Sequence, residues 1–521
     1  MNKTFNTTGV CISDRHYMLP PQDRCTGAME QIRKESYFII HAARQSGKTT
    51  LLKSLVESIN AEGTSYALYC SLEACQGVTD PEKGIPYALA SFEKSVTEAF
   101  PLEQHAVCGK FTNLMPNVSL QSAITAFCRQ LDKPLILLFD EVDCMTEGTL
   151  ILFLRQLRDG FNCRADTPFP ASVALVGMRN IRDYKAKVRS DSDTLGSASP
   201  FNISARSITL KNFSREEIAT LYAQHAEATG QVFPEDVVAQ VFEQTQGQPW
   251  LVNAIAKEIV EDILKNDHAK PITVDQVEEA IQNIVLRRDT HIDSLLERLK
   301  EPRVRQVMEP IITGSDQLID FLSDDFSYVR DMGLIRCENN RLEAANPIYR
   351  EVIIRWLNFS EQQTIQFKYP DKNLPLYLNS DRTVNMRFLL EDFQQFWREN
   401  SEIWVERHAY KEAAPQLILM AFLQRVVNGG GRTTREYAAA TGRIDLLLEH
   451  NNRKYPMELK LWESPRALKE GLEQMNRYLD KLGENEGWLI LFDRRSNKTW
   501  EEKISWKTES LNGKTIHVVG C

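Results

Sequence analysis

Tyr37-Phe-Ile-Ile-His-Ala-Ala-Arg-Gln-Ser-Gly-Lys-Thr-Thr-Leu-Leu52 decides the fold. Its first four residues are apolar, its middle is small and polar, and Gly47-Lys48-Thr49 runs into Leu51 and Leu52. That order predicts strand, loop and helix, the setting in which a loop binds phosphate. Successive backbone N–H groups in such a loop point inward around an anion, and the helix that follows adds its positive N-terminal end. The candidate cradle is Ala43, Arg44, Gln45, Ser46, Gly47, Lys48, Thr49 and Thr50. Gly47 would let the backbone approach phosphate closely, Lys48 would reach the β- and γ-phosphates, and the Thr49 hydroxyl would sit on Mg²⁺. The full pattern has glycine at its first position, where this chain has Ala42. That departure matters only if the position demands positive φ.

The matching acidic stretch is Lys133-Pro-Leu-Ile-Leu-Leu-Phe-Asp-Glu-Val-Asp143. Leu135 to Phe139 is apolar throughout, as in a strand buried on both faces of a parallel sheet. An acid at the tip of such a strand, opposite a phosphate loop, holds the Mg²⁺ water shell. A second acid beside it can orient or deprotonate an attacking water. Asp140 is thus a candidate metal residue together with Thr49, and Glu141 a candidate catalytic base. Alone, the two acids would pass for a solvated strand end; the loop upstream argues otherwise. Together the loop and the acids suit a phosphate chain held with Mg²⁺.

Apolar runs at Ser65–Cys70 and Ala171–Gly177 alternate with helical patterns at Thr49–Asn60 and Leu150–Arg158, which predicts a parallel α/β sheet with helices on both faces. Ligand then binds at the carboxyl ends of the strands. Gly177-Met-Arg-Asn-Ile-Arg182 leaves the last strand on that side, so Arg179 or Asn180 is a candidate γ-phosphate contact. Tyr17-Met-Leu-Pro-Pro21 is an extended segment, a candidate neighbour of the nucleotide base or a plain arm. From Phe213 to Val285 the pattern is helical. Ser214 and Glu217 form a capping box, and Gly247 and Pro249 precede an apolar helix that tolerates proline in its first turn. Residues 301–357 read as a small winged-helix unit, with Arg341–Ala345 as a returning strand. Pro370, Pro375 and several Asn mark 358–385 as a linker.

The 521 residues exceed what one core organises, so several domains are expected. A net charge of −9 argues against diffuse, charge-driven nucleic-acid binding; contact with DNA or RNA needs a local basic surface. No apolar run is long enough to cross a membrane, and Met1–Val10 is polar without a signal-peptide core. The ten cysteines are scattered, which suits reduced thiols in a cytoplasmic protein.

The C-terminal part carries a second set of acids. Gly442-Arg-Ile-Asp-Leu-Leu-Leu448, a turn at Asn451-Asn452 and Tyr455-Pro-Met-Glu-Leu-Lys460 read as two strands meeting at a turn. Glu458 and Lys460 then project from one face, and the turn could bring Asp445 to it. Two carboxylates can hold a hard divalent cation, Mg²⁺ or Mn²⁺. A lysine beside them can position water or stabilise phosphate charge. The bland alternative is an ion pair between Glu458 and Lys460 with Asp445 a turn residue.

This pattern resembles the PD-(D/E)xK nuclease superfamily. Asp445 matches its first acid and Glu458-Leu-Lys460 its E-x-K, while Glu412, near the start of a helix within Glu402–Val427, matches the preceding helix acid. Gln474-Met-Asn-Arg-Tyr478 matches the Q-x-x-x-Y of the RecB-like branch, both side chains on one helix face. Ile444 stands where many members have proline. Gly247-Gln-Pro249 resembles the Gly-x-Pro of the helical lid in signalling and origin-recognition-like ATPases, which implies that Pro249 lies near the phosphates.

Taken whole, the chain resembles bacterial AAA-like ATPases fused to a C-terminal PD-(D/E)xK domain, most specifically at Ala43–Thr50, Gly247–Pro249, Asn346-Pro-Ile-Tyr349 and Gly442–Asp445. The resemblance implies an α/β fold: a P-loop NTPase parallel sheet with helical lid and winged-helix unit, followed by a smaller α/β restriction-endonuclease-like domain. The expected boundaries are an arm at 1–30, an ATPase core at 31–210, a lid at 211–300, a winged helix at 301–357, a linker at 358–385 and a nuclease-like domain at 386–521. The resemblance implies ATP and Mg²⁺ as cofactors, and an ATPase regulating a metal-dependent nuclease on nucleic acid, with DNA the expected substrate. A switch ATPase whose C-terminal domain binds without cutting is the alternative. A homo-oligomer is open, with Arg206 and Arg287 as candidates for an arginine lent to a neighbour.

Overall fold

The structure is a computed structural model. It describes residues 3–177, 203–287, 289–313, 323–338, 341–353, 356, 374–407, 418–420, 422–423, 432–439, 442–451, 453–462, 465–493, 495 and 497–521. The chain divides into two compact units, 1–304 with 319–350, and 305–318 with 351–521. The second thus takes in part of the segment read as a winged helix.

In the first unit, α1 (Thr26–Arg33) leads to β1 (Tyr37–His41), α2 (Lys48–Glu62) and β2 (Tyr66–Ser71). Then come α3 (Pro81–Ala99), α4 (Pro116–Cys128), β3 (Leu135–Asp140), α5 (Glu147–Asn162), β4 (Ser172–Gly177) and β5 (Ser204–Thr209). The five strands form one sheet in the order β2-β3-β4-β1-β5, and every pair is parallel. The apolar run of β1 explains its central place. Phe38 and Ile40 pack with Leu51, Leu52 and Leu55 of α2. Tyr37 and Ile39 face the opposite core with Phe92, Phe127 and Phe153 of α3, α4 and α5. A strand with apolar side chains on both faces is stable only when both are covered. The phosphate loop and the tip of β3 therefore emerge at the same edge, with β4 between them.

Helices follow: α6 (Arg215–Thr229), α7 (Glu235–Thr245), α8 (Pro249–Lys257), α9 (Val274–Arg287) and α10 (Thr290–Leu299). The expected capping box at Ser214 and Glu217 is present. Tyr17 packs with Phe5 and with His225 of α6, and Gln224 bonds both backbone groups of Met18. The N-terminal arm is therefore fastened to α6. Next come α11 (Pro302–Thr313), α12 (Asp324–Asp331) and an antiparallel hairpin, β6 (Ile335–Glu338) with β7 (Arg341–Ala344).

The second unit contains α13 (Met386–Arg407), β8 (Arg432–Ala439), β9 (Gly442–His450), β10 (Arg453–Leu461), α14 (Pro465–Leu482), β11 (Glu486–Phe492), α15 (Trp500–Lys503), β12 (Ser505–Leu511) and β13 (Lys514–Gly520). Its strands make a mixed sheet in the order β12-β13-β11-β10-β9-β8. Met475 and Leu479 of α14 pack on Leu489, Leu491, Ile516 and Val518. Part of the expected linker folds with this unit: the Val384 amide donates to the Tyr455 hydroxyl (2.9 Å), and Tyr377 donates to Asp392 (2.5 Å). Among the described residues, no helix is long and apolar enough to cross a membrane.

Gly247 is fixed by two constraints. Its φ is +70°, and a Cβ there would lie 1.8 Å from the Phe213 carbonyl oxygen, the residue whose amide donates to the Gly247 carbonyl (2.8 Å). Gly247→Ala should therefore destabilise the chain by about 2–4 kcal/mol, read from its denaturant midpoint. A shift too small to measure would mean that Phe213 moves away freely.

Candidate functional site

The loop after β1 is closed from within. Ala42 donates its amide to the Gly177 carbonyl at the end of β4 (3.2 Å), and Ser46 donates to the Ala43 carbonyl (2.7 Å). Gly47 has φ +91°. Ala42 does not take a positive φ, so the missing glycine costs nothing in backbone strain. Arg24 lies beside Gly47, 3.4 Å from where a Cβ would stand. It donates from Nε to the Lys211 carbonyl (2.8 Å) and lies over the Phe213 ring. Its burial pulls the guanidinium pKa down to about 10.

Lys48 is only 6% exposed. Its ammonium donates to the carbonyls of Ala42 (3.1 Å) and Ala43 (3.0 Å). Burial lowers its pKa, opposed by the charges of Glu141, Asp143 and Asp140. Those acids stand where β3 ends. Asp140 is buried; its Oδ2 accepts from the Thr49 hydroxyl (2.7 Å) and the Tyr69 hydroxyl (3.1 Å), and its Oδ1 from the Glu141 amide (3.0 Å). Glu141 takes a left-handed turn, φ 55°, and burial raises its carboxyl pKa above the ordinary 4.5. Among the described residues, Asp143 Oδ1 is buried without a hydrogen-bond partner. It lies 2.6 Å from where a Cβ on Gly177 would stand, so glycine there makes room for the carboxylate.

This donor set fits a magnesium nucleotide. Mg²⁺ usually takes one or two protein oxygens and completes its shell with water and phosphate. A hydroxyl touching a buried carboxylate and an unpartnered carboxylate oxygen answer that description.

A family model described as the AAA-like domain matches residues 15–354. The chain belongs to the AAA-like family. Among solved structures, this AAA-like chain is similar to a Walker-type ATPase of Pyrococcus abyssi (13% identity, 67% of this chain and 99% of that one, TM-score 0.47). It is also similar to Cdc6p of Pyrobaculum aerophilum (13%, 68% and 97%, 0.36) and to the RuvB Holliday junction branch migration motor of Thermotoga maritima (12%, 64% and 93%, 0.33). No curated protein sequence matches.

Other expected contacts of the AAA-like core distribute as follows. Thr50 Oγ1 accepts from the Cys11 amide (3.2 Å), tying the arm to α2. Pro249 is buried in the first turn of α8. Arg44 and Gln45 point to α10, bonding Ser294 (2.9 Å) and His291 (2.5 Å). Arg179 and Asn180 lie outside the described residues. Arg206 is within 3.9 Å of Glu30, and Arg287 pairs with Glu258 and Asp289. Asp143 is the acid that the sequence offers as an alternative to Glu141, whereas Tyr69 escaped the sequence reading. Tyr69 gains its place only because β2 is the neighbour of β3, and sheet order is invisible in a local pattern.

In the second unit, β9 and β10 pair antiparallel from Arg453↔His450 to Met457↔Leu446. Asp445 and Glu458 are the next residues on the two strands; the Asp445 side chain is outside the described residues, as is Glu412. Glu458 is wholly buried, with Lys460 Nζ 2.9 Å from its Oε1. Glu458 and Lys460 register with Leu489 and Leu491 of β11, residues packed under α14, so both face that helix. On α14, Gln474 donates to the Tyr478 hydroxyl (2.6 Å).

A base role for Glu141, with its raised carboxyl, would have a kinetic consequence. As pH falls, its base form is lost at a pH above 4.5, earlier than for a solvated glutamate. ATP turnover should fall on the acid side with a midpoint above 4.5, and Glu141→Gln should keep nucleotide binding while slowing turnover at least about 100-fold. Normal turnover in that variant would move the role to another acid.

Proposed function

We propose that the AAA-like module binds and hydrolyses ATP with Mg²⁺ and thereby regulates a fused metal-dependent nuclease that acts on DNA. In the first unit, loop amides from Ala43 to Thr50 would bind phosphates and Lys48 would swing from the loop carbonyls to the β- and γ-phosphates. Thr49 and Asp140 would hold Mg²⁺, which supplies charge neutralisation at the phosphates. Glu141 would orient and deprotonate the attacking water. Arg179 would meet the γ-phosphate and Pro249 the nucleotide.

In the second unit, Asp445 and Glu458 would hold Mg²⁺ or Mn²⁺, and Lys460 would position water against a phosphodiester. Gln474 and Tyr478 would steady the strand–helix side of that site, and Glu412 would be its helix acid. The observation that supports this reading is the β9–β10 register, which runs to Met457↔Leu446, the residues next to Glu458 and Asp445 on their strands, with Lys460 two residues on. A catalytic pair built on adjacent strands is held more rigidly than one built on loops.

A second reading has its own support. A wholly buried Glu458 with Lys460 at 2.9 Å also suits a structural ion pair, in a domain that binds DNA or a partner without cutting. Supercoiled plasmid incubated with the chain, Mg²⁺ or Mn²⁺, and ATP separates the two. The nuclease reading expects nicking that Lys460→Ala abolishes while ATP turnover continues. No nicking with either metal, alongside normal ATP turnover, would favour the binding-only domain, and nicking that survives Lys460→Ala would remove this site from the chemistry.

A further inference from the structure

We propose that His291 is a positioning residue for the phosphate-binding loop, acting on it through the side chain of Gln45. The inference rests on the reading of that loop as a nucleotide site.

Gln45 is a non-glycine residue with φ 55°. That conformation is strained for a residue with a Cβ and persists where the surroundings impose it. Here the restraint comes from α10. His291 Nδ1 is 2.5 Å from Gln45 Oε1, and His291 Nε2 is 2.5 Å from the Tyr349 hydroxyl. With Oε1 the acceptor, Nδ1 carries the proton; Nε2 then accepts from Tyr349. Both ring nitrogens are used by one neutral tautomer. The ring is 5% exposed and stacks on Trp250 at 4.7 Å and 16°. Burial, reinforced by Arg44, pushes its pKa down to about 3.

The partners of the ring come from separate parts of the first unit. Trp250 belongs to the first turn of α8, and its indole N–H donates to the Thr7 carbonyl of the arm (2.9 Å). Tyr349 is set by its own amide, which donates to Asn346 Oδ1 (2.8 Å). This gives a role to the stretch Asn346-Pro-Ile-Tyr349, which the nucleotide chemistry leaves unexplained. Arg44 is tied to the same helix through Ser294. The loop is thus gripped through two consecutive side chains. Neither grip uses a loop amide, the group that phosphate requires. Such a grip can preset the cradle without competing with its ligand, which raises affinity by lowering the ordering cost.

The test is titration of the full chain with fluorescent ATP and ADP, with melting temperature recorded separately. The variants are His291→Ala, Gln45→Leu, their double variant and His291→Asn, which keeps a donor near the Nδ1 position. Each single truncation should weaken binding about tenfold, the size of one buried hydrogen bond. The double should be no weaker than either single, because both remove the same bond. His291→Asn should recover affinity to within about threefold of wild type. Unchanged affinity in His291→Ala or Gln45→Leu, losses that multiply in the double variant, or no recovery in His291→Asn overturns the proposal. A fall in melting temperature alone would reduce His291 to a packing residue. Should His291→Ala fail to fold, Gln45→Leu decides by its affinity. A wild-type chain that binds neither nucleotide overturns the nucleotide reading and this inference together; unaffected variants of a binding wild type overturn this inference alone.

Discussion

An ammonium group buried under a loop is the constraint on which the first unit is arranged. Placed alone in that position, Lys48 would cost several kcal/mol of desolvation. Two loop carbonyls accept its hydrogen bonds, and the charges of three carboxylates favour its ammonium form. The arrangement works only if the loop after β1 and the tip of β3 lie at one edge of one sheet, which parallel pairing through β4 enforces. The acids then outnumber the lysine. Asp140 is quieted by two hydroxyls and an amide, but among the described residues one oxygen of Asp143 has no donor. A divalent cation bound with a phosphate chain is the ligand whose charges suit both ends of this site.

The second unit sets charge against sheet in a related way. Glu458 is as buried as any aliphatic residue of its strand, yet it carries a carboxylate, and Lys460 is the cation next to it. Alternation along β10 keeps both on the face that α14 covers, while Met457 belongs to the other face. Removing one member of such a pair is costly because the other charge is left behind. A carboxylate kept in so dry a place, with a partly exposed lysine beside it, needs either mutual structural support or a shared ligand, and the geometry is compatible with each.

Much of this was legible because it is local. The strand–loop–helix of Tyr37–Leu52, the acids closing β3, the capping box at Ser214 and the hairpin ending in Glu458-Leu-Lys460 all follow from short-range pattern. Even the departure at Ala42 could be judged once its φ was known. Other features were not legible because they depend on pairing between distant segments. Tyr69 reaches Asp140 through strand order, and β5 closes the sheet beside β1 with polar residues, Ser204, Arg206 and Ser207, that carry no strand signal. Likewise β12 and β13 have too weak an alternation to stand out, although their pairing completes the mixed sheet. His291 has no motif around it; only the packing of α10 against the loop reveals it.

The central claim is that Lys48 anchors a magnesium nucleotide. Isothermal titration of ATP into the full chain, with Mg²⁺ present and again with it chelated, tests this most directly when repeated on Lys48→Ala. The account predicts one ATP per chain for the wild type, tighter with Mg²⁺, and a loss of at least about 100-fold in affinity for the variant, as expected when a charged partner is removed from a buried site. Equal affinity in wild type and Lys48→Ala would contradict it.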